Sequence, residues 1–88
     1  MSERRHAPVF GGFREMAQRR QELASDLVAA RLDAGLSQTE VAARMGTSQS
    51  AVARIEAAVG DVRLSSLERY AAAVDQVLDW SLGDLRGR

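Results

Sequence analysis

Cysteine is absent from the 88-residue chain, which excludes disulfides, thiolate metal sites and cysteine nucleophiles. His6 is the only histidine, so the chain lacks the several His and Cys ligands of a typical transition-metal site, and we expect no histidine-based catalytic triad. No carboxylate pair, activated nucleophile or glycine-rich phosphate loop with usable spacing takes their place. We therefore expect a protein that is not an enzyme and that holds no cofactor and no metal.

Lysine is also absent, and the 12 basic residues, all arginine, balance 12 acidic residues to a formal net charge of zero. No apolar run approaches the ~18 residues of a membrane span, and the N-terminus lacks the apolar segment of a secretory signal. The sequence therefore predicts a soluble, cytoplasmic protein with no membrane partner. A chain of this length buries only ~60% of its unfolded surface, which predicts one small domain with a thin core.

Proline and glycine divide the chain. Residues 1–12 contain the only proline and the pair Gly11–Gly12, and they predict a flexible N-terminal tail. Apolar residues at three- and four-residue steps then predict a first helix over about 13–34, bent or divided around 19–22. Gly35 is expected to end it as a C-terminal cap.

Two Ser-x-x-Glu sequences, residues 37–40 and 65–68, predict helix starts, because each side chain satisfies the other's free backbone donor. The first opens a short helix that Gly46 ends, and Thr47 and Ser48 cap a third helix through about residue 58. The second opens a fourth helix over 66–74. The apolar positions of these helices predict the core residues Val41, Ala42, Met45, Val52, Ile55, Leu67, Tyr70, Ala71 and Val74.

Residues 37–56, SQTEVAARMGTSQSAVARIE, match the helix-turn-helix pattern of two short helices joined at a single glycine. Gly46 supplies a backbone conformation that a Cβ atom would penalise. With Val52 and Ile55 anchored on the core, the opposite face of the second helix carries polar or small residues: Gln49, Ser50, Ala53 and Arg54. Glutamine pairs with adenine and arginine with guanine through two hydrogen bonds, so this face favours binding to duplex DNA.

The segment 27–74 resembles the Cro/repressor, or XRE, family of helix-turn-helix proteins. Arg31, GLSQTEVA over 35–42 and MGTSQSAVARIE over 45–56 carry the resemblance, and Leu64 and LERYA over 67–71 match the following helix. The resemblance implies that Gln38 grips a phosphate and that Gln49, Ser50 and Arg54 read bases. The implied DNA-binding residues are Gln38, Thr47, Ser48, Gln49, Ser50, Ala53 and Arg54.

The same resemblance implies a structural ion pair between Arg31 and Glu56, which joins the first helix to the end of the third. Two plainer interpretations stay open for the binding residues. Gln38 would serve only the helix start, and Arg54 would be a solvated helix charge. The resulting domain, residues 13–75, has its motif at 37–56 and a helical extension at its N-terminal end.

Residues 76–88 differ from the helical part. Val77–Leu82 alternates with period two, so Leu78, Trp80 and Leu82 share one side, which predicts a half-buried strand. A lone strand needs a partner edge, which a second copy or the sheet edge of a toxin would supply. Pairing with a second copy predicts a homodimer that binds a palindromic operator. The competing interpretation has Trp80 fold back onto its own helices. The predicted fold is all-α, a four- to five-helix repressor-like helix-turn-helix domain with a short C-terminal β-strand used for dimerisation.

The stretch DVRLSSLERYAAAV over 61–74, followed by VLDWSL, is similar to antitoxins of the HigA type and their stand-alone relatives. Asp75–Gln76 departs from the Gly-Gly that such proteins commonly carry. The resemblance implies a repressor of its own operon that neutralises a toxin, typically a ribonuclease, with helix residues 13–26 as a candidate toxin contact. The alternatives are a stand-alone XRE regulator, or a protein-interaction module that does not bind DNA, which the zero net charge favours.

Overall fold

The computed structural model describes the backbone of residues 2–79 and the side chains of residues 14–79. This part of the chain forms four helices: α1 Ser2–Asp33, α2 Gln38–Met45, α3 Gln49–Glu56 and α4 Leu64–Ala73. Helix α2 packs against α3 and α4, and α1 packs against α3. The all-helical prediction is confirmed for these residues. None of the four helices is both long enough and apolar enough to cross a bilayer.

One face of each helix contributes to a single core. Val41, Val52 and Tyr70 have no solvent exposure, and each buried valine contributes about 1.5–3 kcal/mol. Leu67 lies half-buried against this core. The predicted core is confirmed, and its buried members are Leu27, Val41, Ala42, Met45, Val52, Ile55, Tyr70, Ala71, Ala73 and Val74.

All four helices end in the same backbone motif, in which a residue with positive φ follows the last turn and two N–H groups close back onto it. At the end of α1, Gly35 N–H donates to the Leu32 carbonyl at 3.0 Å and Leu36 N–H to the Arg31 carbonyl at 3.1 Å. Gly35 and Gly46 both have φ of +72°, and nothing lies where a Cβ would stand. Their requirement for glycine is therefore conformational, as predicted for Gly46.

The other two motifs use residues that carry a Cβ. Ala58 follows α3 with φ of +55°, and Asp75 follows α4 with φ of +61°. The Val59 N–H reaches the Arg54 carbonyl at 3.2 Å, so the α3 motif closes fully despite the alanine. The left-handed conformation costs an L-residue such as alanine about 1–2 kcal/mol, and this strain is stored at Ala58.

The predicted capping box at the start of α2 is confirmed. Glu40 N–H donates to Ser37 Oγ at 3.0 Å, and Ser37 N–H donates to Glu40 Oε1 at 2.7 Å. Helix α3 is capped by Ser48, whose Oγ accepts from the Ala51 N–H at 3.1 Å, and Thr47 takes no part in the cap.

The capping box predicted at residues 65–68 is wrong. Helix α4 already begins at Leu64, and its N-cap is Arg63, which makes no side-chain capping bond. The Arg63 carbonyl accepts from the N–H groups of Ser66 and Leu67, at 3.0 and 3.2 Å. Ser65 therefore lies within the first turn, where its hydroxyl no longer occupies the N-cap position that the box requires.

The flexible tail predicted for residues 1–12 is corrected over residues 2–12, where the structure has the start of α1. The bend or division predicted at 19–22 is also wrong, because α1 runs through these residues without interruption. The predicted tail depends on proline and glycine acting as helix breakers. Each lowers helix propensity, by about 3 and 1 kcal/mol respectively, but this weak preference does not forbid a helix. A continuous helix pairs the backbone groups of the segment with one another, and Pro8 removes only one donor.

The predicted strand over 77–82 is not found in its described part. Residues 76–79 have no regular secondary structure, and Trp80 and Leu82 lie outside the described residues. Every regular element among residues 2–79 is a helix, so this part of the chain offers the segment no strand edge to pair with. Leu78 instead packs half-buried against its own domain, and it lines a hollow with Leu23 of α1. Its apolar character therefore serves the chain's own core.

We predict that Ala58→Gly raises the free energy of unfolding by about 0.5–1 kcal/mol, because glycine adopts positive φ without strain and this relief exceeds the entropy it adds to the unfolded chain. Urea unfolding followed by circular dichroism measures the change. Ala57→Gly is the matched control, since Ala57 has φ of −84° and no strain to relieve. The control should lower stability. A destabilised Ala58→Gly variant would contradict the prediction.

Candidate nucleic-acid interface

Helix α3 presents opposite faces to the core and to solvent. Val52 and Ile55 are buried, which fixes the helix against α1 and α2. Gln49, Ser50 and Arg54 are exposed on the other side, and Ala53 is half-buried between them. The outward face predicted from the sequence is therefore solvent-accessible, at the end of a turn that Gly46 makes possible.

An ion pair joins α1 to the last residue of α3. Arg31 Nε donates to Glu56 Oε2 at 2.7 Å, and a terminal nitrogen of Arg31 donates to Glu56 Oε1 at 3.2 Å. The other terminal nitrogen donates to the Leu36 carbonyl at 3.0 Å. The two side chains are only 12% and 8% exposed, so solvent screens the pair weakly. The predicted Arg31–Glu56 pair is confirmed.

Glu56 accepts further hydrogen bonds from α2 and α4. Gln38 Nε2 donates to Glu56 Oε1 at 2.8 Å, and the Tyr70 hydroxyl donates to Glu56 Oε2. One carboxylate thus contacts side chains from the other three helices. We define these four residues, Arg31, Gln38, Glu56 and Tyr70, as the Glu56 hub. The sequence analysis predicts Tyr70 as a core residue but does not predict the hydrogen bond from its hydroxyl to Glu56. No sequence pattern relates residue 70 to residue 56.

The hub changes the acidity of its members. Burial alone would raise the pKa of the Glu56 carboxyl, but the hydrogen bonds from Arg31, Tyr70 and Gln38 and the charge of Arg31 outweigh it and hold this pKa below its ordinary value. Burial, together with the hydrogen bond to Glu56, raises the pKa of Tyr70. Both effects keep the carboxylate charged and the hydroxyl protonated, which is the state that the hydrogen bonds require.

The hub extends to the surface through Gln38. Gln49 Nε2 donates to Gln38 Oε1 at 2.6 Å, so the first residue of α3 is linked to the first residue of α2. Gln38 therefore uses its oxygen on Gln49 and one amide hydrogen on Glu56. Its second amide hydrogen has no partner among the described residues. The helix-start interpretation of Gln38 is too narrow, because its side chain joins the hub to Gln49.

The remaining predicted contact residues lie around the start of α3. Thr47 is exposed, and the hydroxyls of Ser48 and Ser50 lie 3.2 Å apart. Ser48 is also the cap of α3, so part of its role is structural. The Arg54 side chain forms no hydrogen bond or ion pair within the described part of the chain. No group of His, Cys, Asp or Glu side chains within residues 14–79 is placed to hold a metal ion.

Comparisons with known proteins agree with this geometry. The helix-turn-helix family profile matches residues 27–79. Antitoxin HigA1, from two strains of Mycobacterium tuberculosis, is 44% identical over 68 residues, which cover 77% of this chain and 46% of the relative. The chain therefore matches less than half the length of these curated relatives. No solved structure gives a significant match.

We predict that Glu56→Gln lowers the free energy of unfolding by about 2 kcal/mol at pH 7, since hydrogen bonds to a charged partner contribute about 1.5–3 kcal/mol. Because the folded-state pKa of Glu56 is lowered, its contribution is fully present above the unfolded value of about 4.3 and is lost as the pH falls through the folded value. The difference from wild type should therefore shrink below about pH 4.

Thermal melts between pH 7 and pH 3 measure this dependence. Glu68→Gln is the matched control, since it removes the same charge from an exposed residue of α4. The control should melt with the wild type at each pH. A Glu56→Gln deficit that stays constant down to pH 3 would show that the charge of Glu56 does not stabilise the fold.

Proposed function

Because the chain belongs to the helix-turn-helix family of the Cro/repressor (XRE) type, we propose that it binds duplex DNA with sequence specificity and acts as a transcriptional repressor. The observation that carries the proposal is the hydrogen-bonded pair Gln49–Gln38 on the exposed side of α2 and α3. Both side chains lie at the start of their helices. This supports the proposal because the N-terminal residues of a recognition helix contact base edges in the major groove.

The proposed role of Gln49 is to read adenine. Its Nε2 gives one hydrogen to Gln38, which leaves the second hydrogen and the Oε1 atom. A donor and an acceptor on one amide match the N7 and N6 groups of adenine in the major groove. Arg54 is proposed to contact a guanine, and Ser50 a neighbouring base edge. Thr47, Ser48 and Ala53 complete the proposed surface.

Gln38 is proposed to grip a phosphate with its remaining amide hydrogen. A phosphate contact orients the protein on the duplex without reading sequence. The same side chain is held by Glu56 at 2.8 Å, so its position is fixed before DNA arrives. This preorganisation supports binding because little side-chain freedom is then lost.

The similarity to antitoxin HigA1 supports a more specific role. We propose that the protein is the antitoxin of a type II toxin–antitoxin pair, acts in the cytoplasm, represses its own operon and neutralises a ribonuclease toxin. Residues 13–26 of α1 precede the matched helix-turn-helix segment and are the proposed toxin contact. Met16 on this helix is 48% exposed, so its apolar side chain is accessible to such a partner.

We also propose that the repressor is a homodimer. Two copies related by a two-fold axis would present two α3 helices about 34 Å apart, one turn of DNA, and would bind a palindromic operator. Residues 76–88 are the proposed interface. Val77 is 90% exposed and supports this choice, while Leu78 packs on its own chain and Trp80 and Leu82 lie outside the described residues.

The DNA proposal predicts that the wild-type protein selects a palindromic duplex from a random-sequence library. Gln49→Ala and Arg54→Ala should each weaken binding to that duplex by about 1–3 kcal/mol and relax preference at one position of each half-site. Fluorescence anisotropy with single-base operator variants measures both effects. Gln18→Ala, an exposed amide on α1, is the matched control and should bind as wild type does.

Each result separates a different part of the proposal. Selection of no duplex would favour a protein-interaction module without DNA binding. Selection of an asymmetric site would contradict the homodimer. If Gln49→Ala and Arg54→Ala both distinguish the single-base operator variants as well as the wild-type protein does, other residues read the bases.

The antitoxin proposal predicts that the product of an adjacent reading frame arrests growth when expressed alone, and that co-expression of this chain restores growth. Met16→Asp should abolish the rescue but keep DNA binding, because a charge would disrupt an apolar contact on α1. Gln18→Asp places the same charge on the opposite side of that helix and should preserve rescue. If the adjacent product leaves growth unchanged, the protein is a stand-alone regulator.

A further inference from the structure

An open groove of about 440 Å³ runs between α3 and α4, next to the proposed base-reading face. Three arginines line it: Arg54 from α3, Arg63 at the N-cap of α4, and Arg69 from the second turn of α4. None of the three forms a hydrogen bond or ion pair within the described part of the chain. Asp61 is the acidic residue of the lining, so the groove carries an excess of positive charge.

The positive surface continues beyond the groove. Arg69 also lines a second hollow of about 260 Å³, together with Arg44 of α2 and three uncharged residues. Arg44 is held by a hydrogen bond of 2.9 Å to the Ala73 carbonyl, which fixes its guanidinium beside α4. Four arginines thus border two neighbouring hollows whose linings contain a single carboxylate. Guanidinium groups gathered in this way favour an anion with several oxygens, since arginine binds phosphate through two parallel hydrogen bonds.

The position of the groove identifies the anion. Ser48, Ser50 and Arg54 belong both to its lining and to the proposed DNA-binding face. A duplex that receives α3 in its major groove would bring its phosphate backbone alongside, and the Ser66 hydroxyl adds a donor on the α4 wall. The charge, the hydroxyls and the shared residues all fit a backbone phosphate.

We propose that Arg63 and Arg69 clamp the DNA phosphate backbone beside the recognition helix and supply much of the sequence-independent affinity. The inference rests on the proposed DNA binding and extends it to two residues outside the helix-turn-helix segment. Neither arginine reads a base. Each neutralises a phosphate, so its loss should weaken binding to every sequence and should reduce the number of counterions released.

The test measures dissociation constants for Arg63→Gln, Arg69→Gln and the double variant between 50 and 300 mM NaCl. The probes are the duplex selected by the wild-type protein and a duplex of unrelated sequence. The slope of log affinity against log salt should become shallower by about 0.9 for each single variant and about 1.8 for the double variant, on both duplexes. Thermal melts establish that the variants remain folded.

Arg19→Gln is the matched control. It removes the same charge from an exposed residue of α1 that does not line the groove, and its slope should equal the wild-type slope. If the Arg63 and Arg69 variants have the wild-type slope of log affinity against log salt, the proposed phosphate contacts are wrong although the protein binds DNA. Weakening confined to the selected duplex would assign these arginines to base reading and also overturn the clamp. If the wild-type protein selects no duplex, the proposed function fails first, and the clamp fails with it.

Discussion

The arrangement of the four helices depends on the hydrogen bonds that the Glu56 carboxylate accepts. These bonds come from Arg31 of α1, Gln38 of α2 and Tyr70 of α4, while Glu56 itself ends α3. A hydrophobic core is non-directional, and a core this thin tolerates more than one packing of short helices. A shielded charge with fixed partners allows only one packing, because displacing any of the helices would remove one of the hydrogen bonds to the carboxylate. Within the described residues, no buried side-chain polar atom lacks a partner.

The hub also connects the fold to the proposed interface. Gln38 is bonded at 2.8 Å to Glu56 and accepts from Gln49 at 2.6 Å, so a path of hydrogen bonds leads from the ion pair to the tip of α3. The side chain that would meet a base is therefore oriented by the group that holds the helices together. Glu56 therefore holds the helices together and, through Gln38, also orients the Gln49 side chain. Arg54 forms no hydrogen bond or ion pair among the described residues, so its proposed base contact is independent of the hub.

Short-range sequence patterns correctly predicted the features that depend on interactions between residues close together in the chain. The Ser37–Glu40 box, the left-handed Gly46 and the apolar spacing of α2 and α3 each depend on residues a few positions apart. The Arg31–Glu56 pair spans 25 positions and was accessible only through resemblance to a family. The hydrogen bond from the Tyr70 hydroxyl to Glu56 could not be predicted from the sequence, because it depends on how α4 is oriented relative to α3. The predictions that differ from the structure, over residues 2–12 and 77–79, rested on a weak propensity and on an alternating pattern that has no partner strand among the described residues.

The zero net charge of the chain is a poor guide to its surface, because the fold separates charges that the sequence mixes. Arg31 lies close to the motif, but its charge is offset by Glu56 and contributes little to any external field. Arg54 lies on α3 while Arg63 and Arg69 belong to the start and second turn of α4, and all three line one groove beside α3. Glu22, Asp26 and Asp79 lie elsewhere, along α1, where they line a different hollow together with Arg19 and Arg20. Binding to a polyanion responds to the local charge within about a Debye length, ~8 Å at physiological salt, and not to the sum over the chain. A neutral protein of this fold therefore has the electrostatic means to bind DNA on one face.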